Sequence, residues 1–209
     1  MQINQLQSFG NVPVTTDILE SLFTNLKSPQ KKIQLLEKNG DIIRLKRNLY
    51  VVNEIITGKQ VNIELCANHL YEPSYLSAAW ALSRYGLIPE RVYRITSMTT
   101  KHPRTFETPI GNFDFFHVGE AYFAMGLTSI HENGIAFMMA SPEKALCDFI
   151  LLDKYVPSQS VIGLERYLQN DIRFDMDALA HFSTNIVSEC AKFNRKSKIM
   201  SNLVKIIQK

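Results

Sequence analysis

Glu143, Lys144 and Asp148 lie together in the stretch SPEKALCDF. Two carboxylates beside a lysine are groups with which a metal-dependent nuclease holds its cation and steadies developing charge. Their setting argues for something plainer. Ser141-Pro142 opens a helix, with serine at the cap and proline in the first turn, and Glu143 falls where the helix dipole favours a carboxylate. Nuclease chemistry also needs carboxylates on adjacent strands, and the sequence identifies none. The three residues are therefore expected on a partly exposed helix face. Cys66 and His69 make a Cys-x-x-His pair on another helix, but zinc takes four ligands and no second pair has suitable spacing. There is no Gly-rich phosphate loop, no Gly-x-Ser-x-Gly elbow, no His-Glu-x-x-His and no Cys-x-x-Cys. Neither enzymatic activity nor a cofactor or metal is expected.

The chemistry that remains is electrostatic. Residues 25–48 hold Lys27, Lys31, Lys32, Lys38, Arg44, Lys46 and Arg47 against Glu37 and Asp41. Residues 192–209 hold Lys192, Arg195, Lys196, Lys198, Lys205 and Lys209 and no acid. The stretch between them is net acidic, so a formal charge of +3 conceals two basic segments. A solvated helix face would account for either segment alone.

The elements that must carry the first segment can be read off the chain. Thr16 followed by Ile18, Leu19, Leu22 and Phe23 gives a capped amphipathic helix. Ser28-Pro29 opens a second helix that Gly40 closes. This second helix is expected to pack through Ile33, Leu35 and Leu36 and to present Lys31, Gln34 and Lys38 outward, with Lys32 snorkelling from the apolar arc. A hairpin follows, with Arg44 and Lys46 on one strand face and Ile43 and Leu45 on the other. Helix, turn, helix and basic hairpin read as a winged helix-turn-helix. Gln30 and Gln34 are the candidate base readers, because a side-chain amide pairs with adenine at two positions. Lys27, Arg44, Lys46 and Arg47 are candidates for phosphates, and Ser28 with the backbone N–H groups at its helix start is another. One such module makes few contacts, so a homodimer or paired copies on DNA are expected.

Beyond a linker around 53–60, Pro73-Ser74 is expected to cap a helix from Tyr75 to Tyr85, ended by Gly86. Arg91 to Thr99 alternates like a strand, hairpins turn at Ile110-Gly111-Asn112 and Glu132-Asn133-Gly134, and everything from Val161 onward reads as helical, with Asp175 a cap. The tail, about 192–209, is a basic amphipathic helix striped by Ile199, Leu203, Ile206 and Ile207. The expected fold class is α+β, with a winged helix-turn-helix over 1–58 and a mixed α/β domain with β-hairpins and a helical C-terminus over 59–209. Cys66, Cys147 and Cys190 are odd in number and far apart, and no signal-peptide pattern opens the chain. Reduced thiols in a cytoplasmic protein are expected. No apolar run approaches the roughly 18 residues of a membrane span.

Four stretches resemble the AbiEi-type antitoxins of bacterial type IV toxin–antitoxin systems: NGDIIRLKRNLYVV, EPSYLSAAWALSRYGLIPE, ITSMTTKHPRTFETPIGNFDFFHV and IAFMMASPEKALCDFILL. They run in order from about residue 15 to 155. The family usually has glycine where this chain has Asn48, a residue that tolerates positive φ better than most. The resemblance implies a transcriptional autorepressor that binds repeats in its own promoter through the winged helix. It also implies a second domain that counteracts a co-encoded nucleotidyltransferase-like toxin, functionally rather than by stable contact, in an abortive-infection type of phage defence. Within the matching stretches, Ser74, Arg84, Arg91, Thr99, Lys101 and Arg104 are the candidates for that second task, although Arg84 and Arg91 need only pair with nearby acids. A stand-alone transcription factor with a dimerisation or sensing domain is the alternative, followed by an enzyme acting on nucleic acid.

Overall fold

The computed structural model describes residues 2–157 and 160–209. The chain is a mixed α+β protein with a helical C-terminus. Its first part is α1 (Gln2–Gln7), β1 (Val14–Thr15), α2 (Thr16–Ser21), α3 (Pro29–Lys38), β2 (Ile42–Lys46) and β3 (Leu49–Val52). The three strands form an antiparallel sheet in the order β1-β3-β2. Its core is Leu6, Val14, Leu19, Phe23, Ile33, Leu36, Ile42, Tyr50 and Val52.

The hairpin β2–β3 has no free face. Ile42, Tyr50 and Val52 point into that first core, whereas Leu45, Leu49 and Val51 join the core of the following part. The unbroken apolar run LYVV reflects burial on both sides. Register changes between Arg44, which faces Tyr50, and Lys46, which faces Leu49, so that Leu45 is an extra residue in its strand. The bulge overturns the expected shared face of Arg44 and Lys46. Arg44 stays exposed beside α3, while half-buried Lys46 turns to the opposite side. There its ammonium donates to the carbonyls of Leu70 at 2.7 Å and His69 at 3.3 Å. Leu35 is a second correction: it is 48% exposed. Two residues from Ile33, it stands on nearly the opposite side of the helix and cannot share its packing face.

The second part begins with α4 (Glu54–Thr57) and α5 (Ile63–Leu70), and continues through β4 (Ser74–Leu76), α6 (Ala78–Arg84), β5 (Arg94–Thr99), β6 (Arg104–Thr108) and β7 (Gly111–His117). It then runs through α7 (Glu120–Phe123), β8 (Leu127–Glu132), β9 (Ile135–Ala140) and α8 (Pro142–Leu152). Six strands form one sheet in the order β6-β7-β5-β4-β9-β8. The hairpins β6–β7 and β8–β9 flank the central antiparallel pair β4–β5, joined to it by parallel pairings of β5 with β7 and β4 with β9. Ser74 to Leu76 is thus a central strand rather than the first turn of a helix. Hydrogen bonding on both sides outweighs the helix signal of Pro73-Ser74, and the helix starts later, at Ala78.

The C-terminal helices are α9 (Val161–Arg166, continued by a π-turn to Asp171), a 3-10 turn Met176–His181 capped by Asp175, α10 (Thr184–Phe193) and α11 (Ser197–Ile207). Ile199, Met200, Leu203 and Ile206 are buried, so the basic tail docks as a core helix. Among the described residues, no helix is long and apolar enough to cross a membrane.

Lys46 satisfies carbonyls at the end of α5 that would otherwise lack partners. Replacing it with methionine is expected to destabilise the chain by about 1–2 kcal/mol, read from the urea midpoint, while Arg47→Ala at the exposed tip leaves the midpoint within about 0.5 kcal/mol. Equal midpoints for Lys46→Met and the parent would show that the clasp contributes nothing.

Candidate nucleic-acid interface and a buried polar clasp

The exposed side of α3 and the tip of the β2–β3 hairpin meet over a shallow cavity of about 230 Å³. Its wall includes Thr16, Gln30, Gln34, Arg44, Arg47 and Asn48. The tip closes because Asn48 adopts φ of +65°, and Thr16 fastens it through its backbone N–H, which donates to the Asn48 carbonyl at 3.4 Å. Arg44 lies over the Tyr50 ring at 5.4 Å and donates to the Glu37 carboxylate at 2.5 Å. Lys31 and Lys38 of α3 and Lys27 just before it are exposed, and Lys32 is half-buried. Ser28 precedes α3 without a side-chain cap bond, which leaves its hydroxyl and the helix-start N–H groups open for an anion.

Six further candidates divide into separate places. Lys101 and Arg104 stand over the Tyr71 ring at 5.3 and 5.9 Å, and Arg104 is 4.7 Å from the Phe106 ring. They neighbour Lys46, whose pKa is lowered first by burial, with Glu72 opposing and both cations adding to the effect. The fold therefore brings these two residues beside the hairpin. Thr99 is buried: its hydroxyl donates to the Pro73 carbonyl at 2.7 Å and accepts from the Lys101 N–H at 3.2 Å, a structural role. Ser74 is buried in the central strand. Arg84 bridges Glu132 at 2.5 Å and Glu64 at 3.5 Å, and Arg91 lies over Tyr93 at 5.3 Å.

The chain matches no protein-family model, and no curated protein matches it.

Glu143, Lys144 and Asp148 are not on an exposed face. Lys144 and Asp148 are completely buried, with Nζ 3.1 Å from Oδ1, and Glu143 is 8% exposed. Asp148 accepts hydrogen bonds from Ser77 Oγ at 2.6 Å, Tyr122 Oη at 2.7 Å and Tyr75 Oη at 3.0 Å. Lys144 also donates to the Tyr122 carbonyl at 3.2 Å and sits 3.0 Å from the centre of its ring. Burial, followed by the adjacent carboxylate, pushes both phenols far above their ordinary pKa. With three hydroxyls and an ammonium on its two oxygens, Asp148 is a clasp joining α8 to β4, α7 and the residue before α6. Glu143 accepts from the Ser183 N–H at 2.9 Å, at the start of α10. The sequence held a signal for this: ALCDFILL is apolar on every face, and charged residues in an all-apolar helix must be buried and paired.

Cys66 is fully buried and its thiol is pushed up to about 12, chiefly by burial, while His69 pairs with Glu72 at 2.9 Å. Among the described residues, no group of three or more His, Cys, Asp or Glu side chains could hold a metal ion.

Removing one member of a buried pair strands the other. Asp148→Ala is expected to lose about 3–5 kcal/mol of unfolding free energy, and the double change Lys144→Met with Asp148→Leu to lose distinctly less, both measured by urea denaturation. A double variant as unstable as Asp148→Ala would show that the pair is not coupled.

Proposed function

We propose that this chain is a DNA-binding transcriptional autorepressor and the antitoxin of a type IV toxin–antitoxin pair. In this reading residues 1–58 are a winged helix-turn-helix, α3 is its recognition helix and the β2–β3 hairpin its wing. The observation that carries the DNA half is the convergence of Gln30, Gln34, Arg44, Arg47 and Asn48 on one concave surface, with Lys31 and Lys38 exposed on the same helix as the two glutamines. Amide side chains at its centre suit adenine edges in the major groove, and guanidinium groups at the hairpin suit phosphates on either side. Glu37 holds Arg44 in the free protein, and a phosphate would take over that contact. Lys46 leaves the set of phosphate ligands, since its donors already serve α5. Lys101 and Arg104 neighbour Lys46, on the side of the hairpin turned away from α3, and do not line this surface. So small a footprint favours two protomers on repeated half-sites.

The antitoxin half rests on the four stretches that resemble the AbiEi type. The proposed counterpart is a co-encoded nucleotidyltransferase-like toxin, opposed in the cytoplasm without a stable complex.

The test is retention of a labelled fragment from immediately upstream of the reading frame, against an unrelated competitor. Arg47→Ala is expected to weaken binding to all sequences and to lower the slope of log affinity against log salt by about 1. Gln34→Ala is expected to remove about 1–3 kcal/mol of discrimination between the upstream fragment and the competitor, with little change in the salt slope. Parental affinity and slope in both variants would dismiss this surface as the interface.

A further inference from the structure

A second cavity, of about 440 Å³, opens between the end of β7, the C-terminal end of α8 and the link from α10 to α11. That volume lies in the range of small-molecule sites, which combine apolar walls with a few placed polar groups. Two of its walls have the same makeup, an exposed aromatic ring followed by a basic side chain: Phe116-His117 on β7, and Phe193-Asn194-Arg195 leaving α10. Phe116 is 36% exposed and Phe193 55%. Neither ring stacks on another aromatic ring among the described residues. Rings left open in this way gain by being covered, best by another planar ring.

The polar groups decide the charge of what covers them. Asn194 is engaged internally: its amide donates to Tyr122 Oη at 3.4 Å and its side-chain oxygen accepts from the Lys196 N–H at 2.8 Å. His117 Nδ1 lies 3.2 Å from the Lys101 carbonyl, which can only accept, so Nδ1 carries the proton and the ring is held in place. Arg195 is exposed and has donors to spare. Lys196 takes the carbonyls of Ile150 and Asp153 at the end of α8, and Arg195 reaches only that of Leu151, at 3.4 Å. A guanidinium has five N–H donors, and this one meets no carboxylate among the described residues. No aspartate or glutamate lines the cavity. An anion there finds a charged donor and no facing carboxylate. We propose that this cavity binds a small planar aromatic anion, with its ring against Phe116 and Phe193 and its charged group on Arg195. The site goes beyond the DNA and antitoxin reading and does not depend on it.

The probe is 2-naphthoate, titrated into the full chain and followed by two-dimensional amide NMR. Its matches are 2-naphthylmethanol, a ring without the charge, and cyclohexanecarboxylate, a charge without the aromatic ring. Saturable binding of 2-naphthoate below about 1 mM is expected, at least about tenfold tighter than either match. Arg195→Gln, which keeps an N–H for the Leu151 carbonyl, is expected to weaken 2-naphthoate about tenfold and to leave 2-naphthylmethanol unchanged. Phe193→Ala is expected to weaken 2-naphthoate about five- to tenfold. Both substitutions are at exposed positions and are expected to leave the melting temperature unchanged. No saturable binding of 2-naphthoate at that concentration overturns the proposal, as does undiminished binding to Phe193→Ala. Equal affinity for either match, or parental affinity in Arg195→Gln, overturns the assigned ligand class.

Discussion

A lysine ammonium and an aspartate carboxylate, both sealed from solvent, organise the larger part of this molecule. Moving either ion out of water costs several kcal/mol, and their mutual attraction repays that only where further donors complete the shell. Here three hydroxyls do so, and each comes from a different element: Tyr75 from β4, Ser77 from the turn into α6, Tyr122 from α7. A fully satisfied network of this kind has one low-energy geometry, whereas an apolar replacement could settle in several. The clasp therefore fixes the order in which sheet and helices meet around α8. Glu143, one residue before the lysine, carries that order to α10 through the Ser183 N–H.

From this rigid body the constraint passes to the first part of the chain. α5 packs on β4 and β9, its last carbonyls hold Lys46, and the hairpin places Leu45, Leu49 and Val51 in the larger core. A hairpin with one solvated face could swing on its turn. This one is walled on both sides, so the surface that it shares with α3 is held at a set angle to the body. If that surface meets DNA, the body goes with it as a rigid unit, and Lys101 and Arg104 arrive at a fixed offset from Arg47. Register on the duplex would then be set by the whole molecule rather than by the hairpin alone.

Much of this was legible in the residues, for identifiable reasons. Ser141-Pro142, Asn133-Gly134 and Asp175 act on backbone within three residues of themselves, so the helix start, the turn and the cap stand where local chemistry puts them. Asn48 at positive φ belongs to the same kind. The misses share a different cause. Nothing adjacent to Lys46 indicates that a bulge turns it toward α5, because its partners lie more than twenty residues away. Ser74 to Leu76 became a strand through pairings with residues near 98 and 139. At the candidate interface, helical spacing placed Gln34, Lys31 and Lys38 on the exposed side, but that Lys46 does not join them depended on the bulge. Lys144 and Asp148 were misplaced although the apolar helix around them carried the information. There the fault was in weighing three charges above the eight uncharged residues of helix α8, which leave it no solvated face.

The same distinction between local composition and tertiary use governs the charge. Two basic segments look equivalent in the sequence, yet the fold treats them differently. In the tail, Lys196 donates to the Ile150 carbonyl at 2.7 Å and to that of Asp153, Arg195 reaches the Leu151 carbonyl at 3.4 Å, and Lys209 pairs with Glu165 at 2.6 Å. Cations at the C-terminal end of α8 meet the negative pole of its dipole and fix the tail in place. Around α3 the arrangement is the reverse: Lys27, Lys31, Lys38 and Arg47 are exposed, and of the hairpin's cations only Lys46 is drawn inward. Positive charge left in solvent on a rigid, concave face repels itself and gains by meeting a polyanion; positive charge set on carbonyls has already met its counterpart. Lys198 and Lys205 of the tail also stay exposed, but they lie on a docked helix, whereas Lys31 and Lys38 share α3 with the exposed amides Gln30 and Gln34.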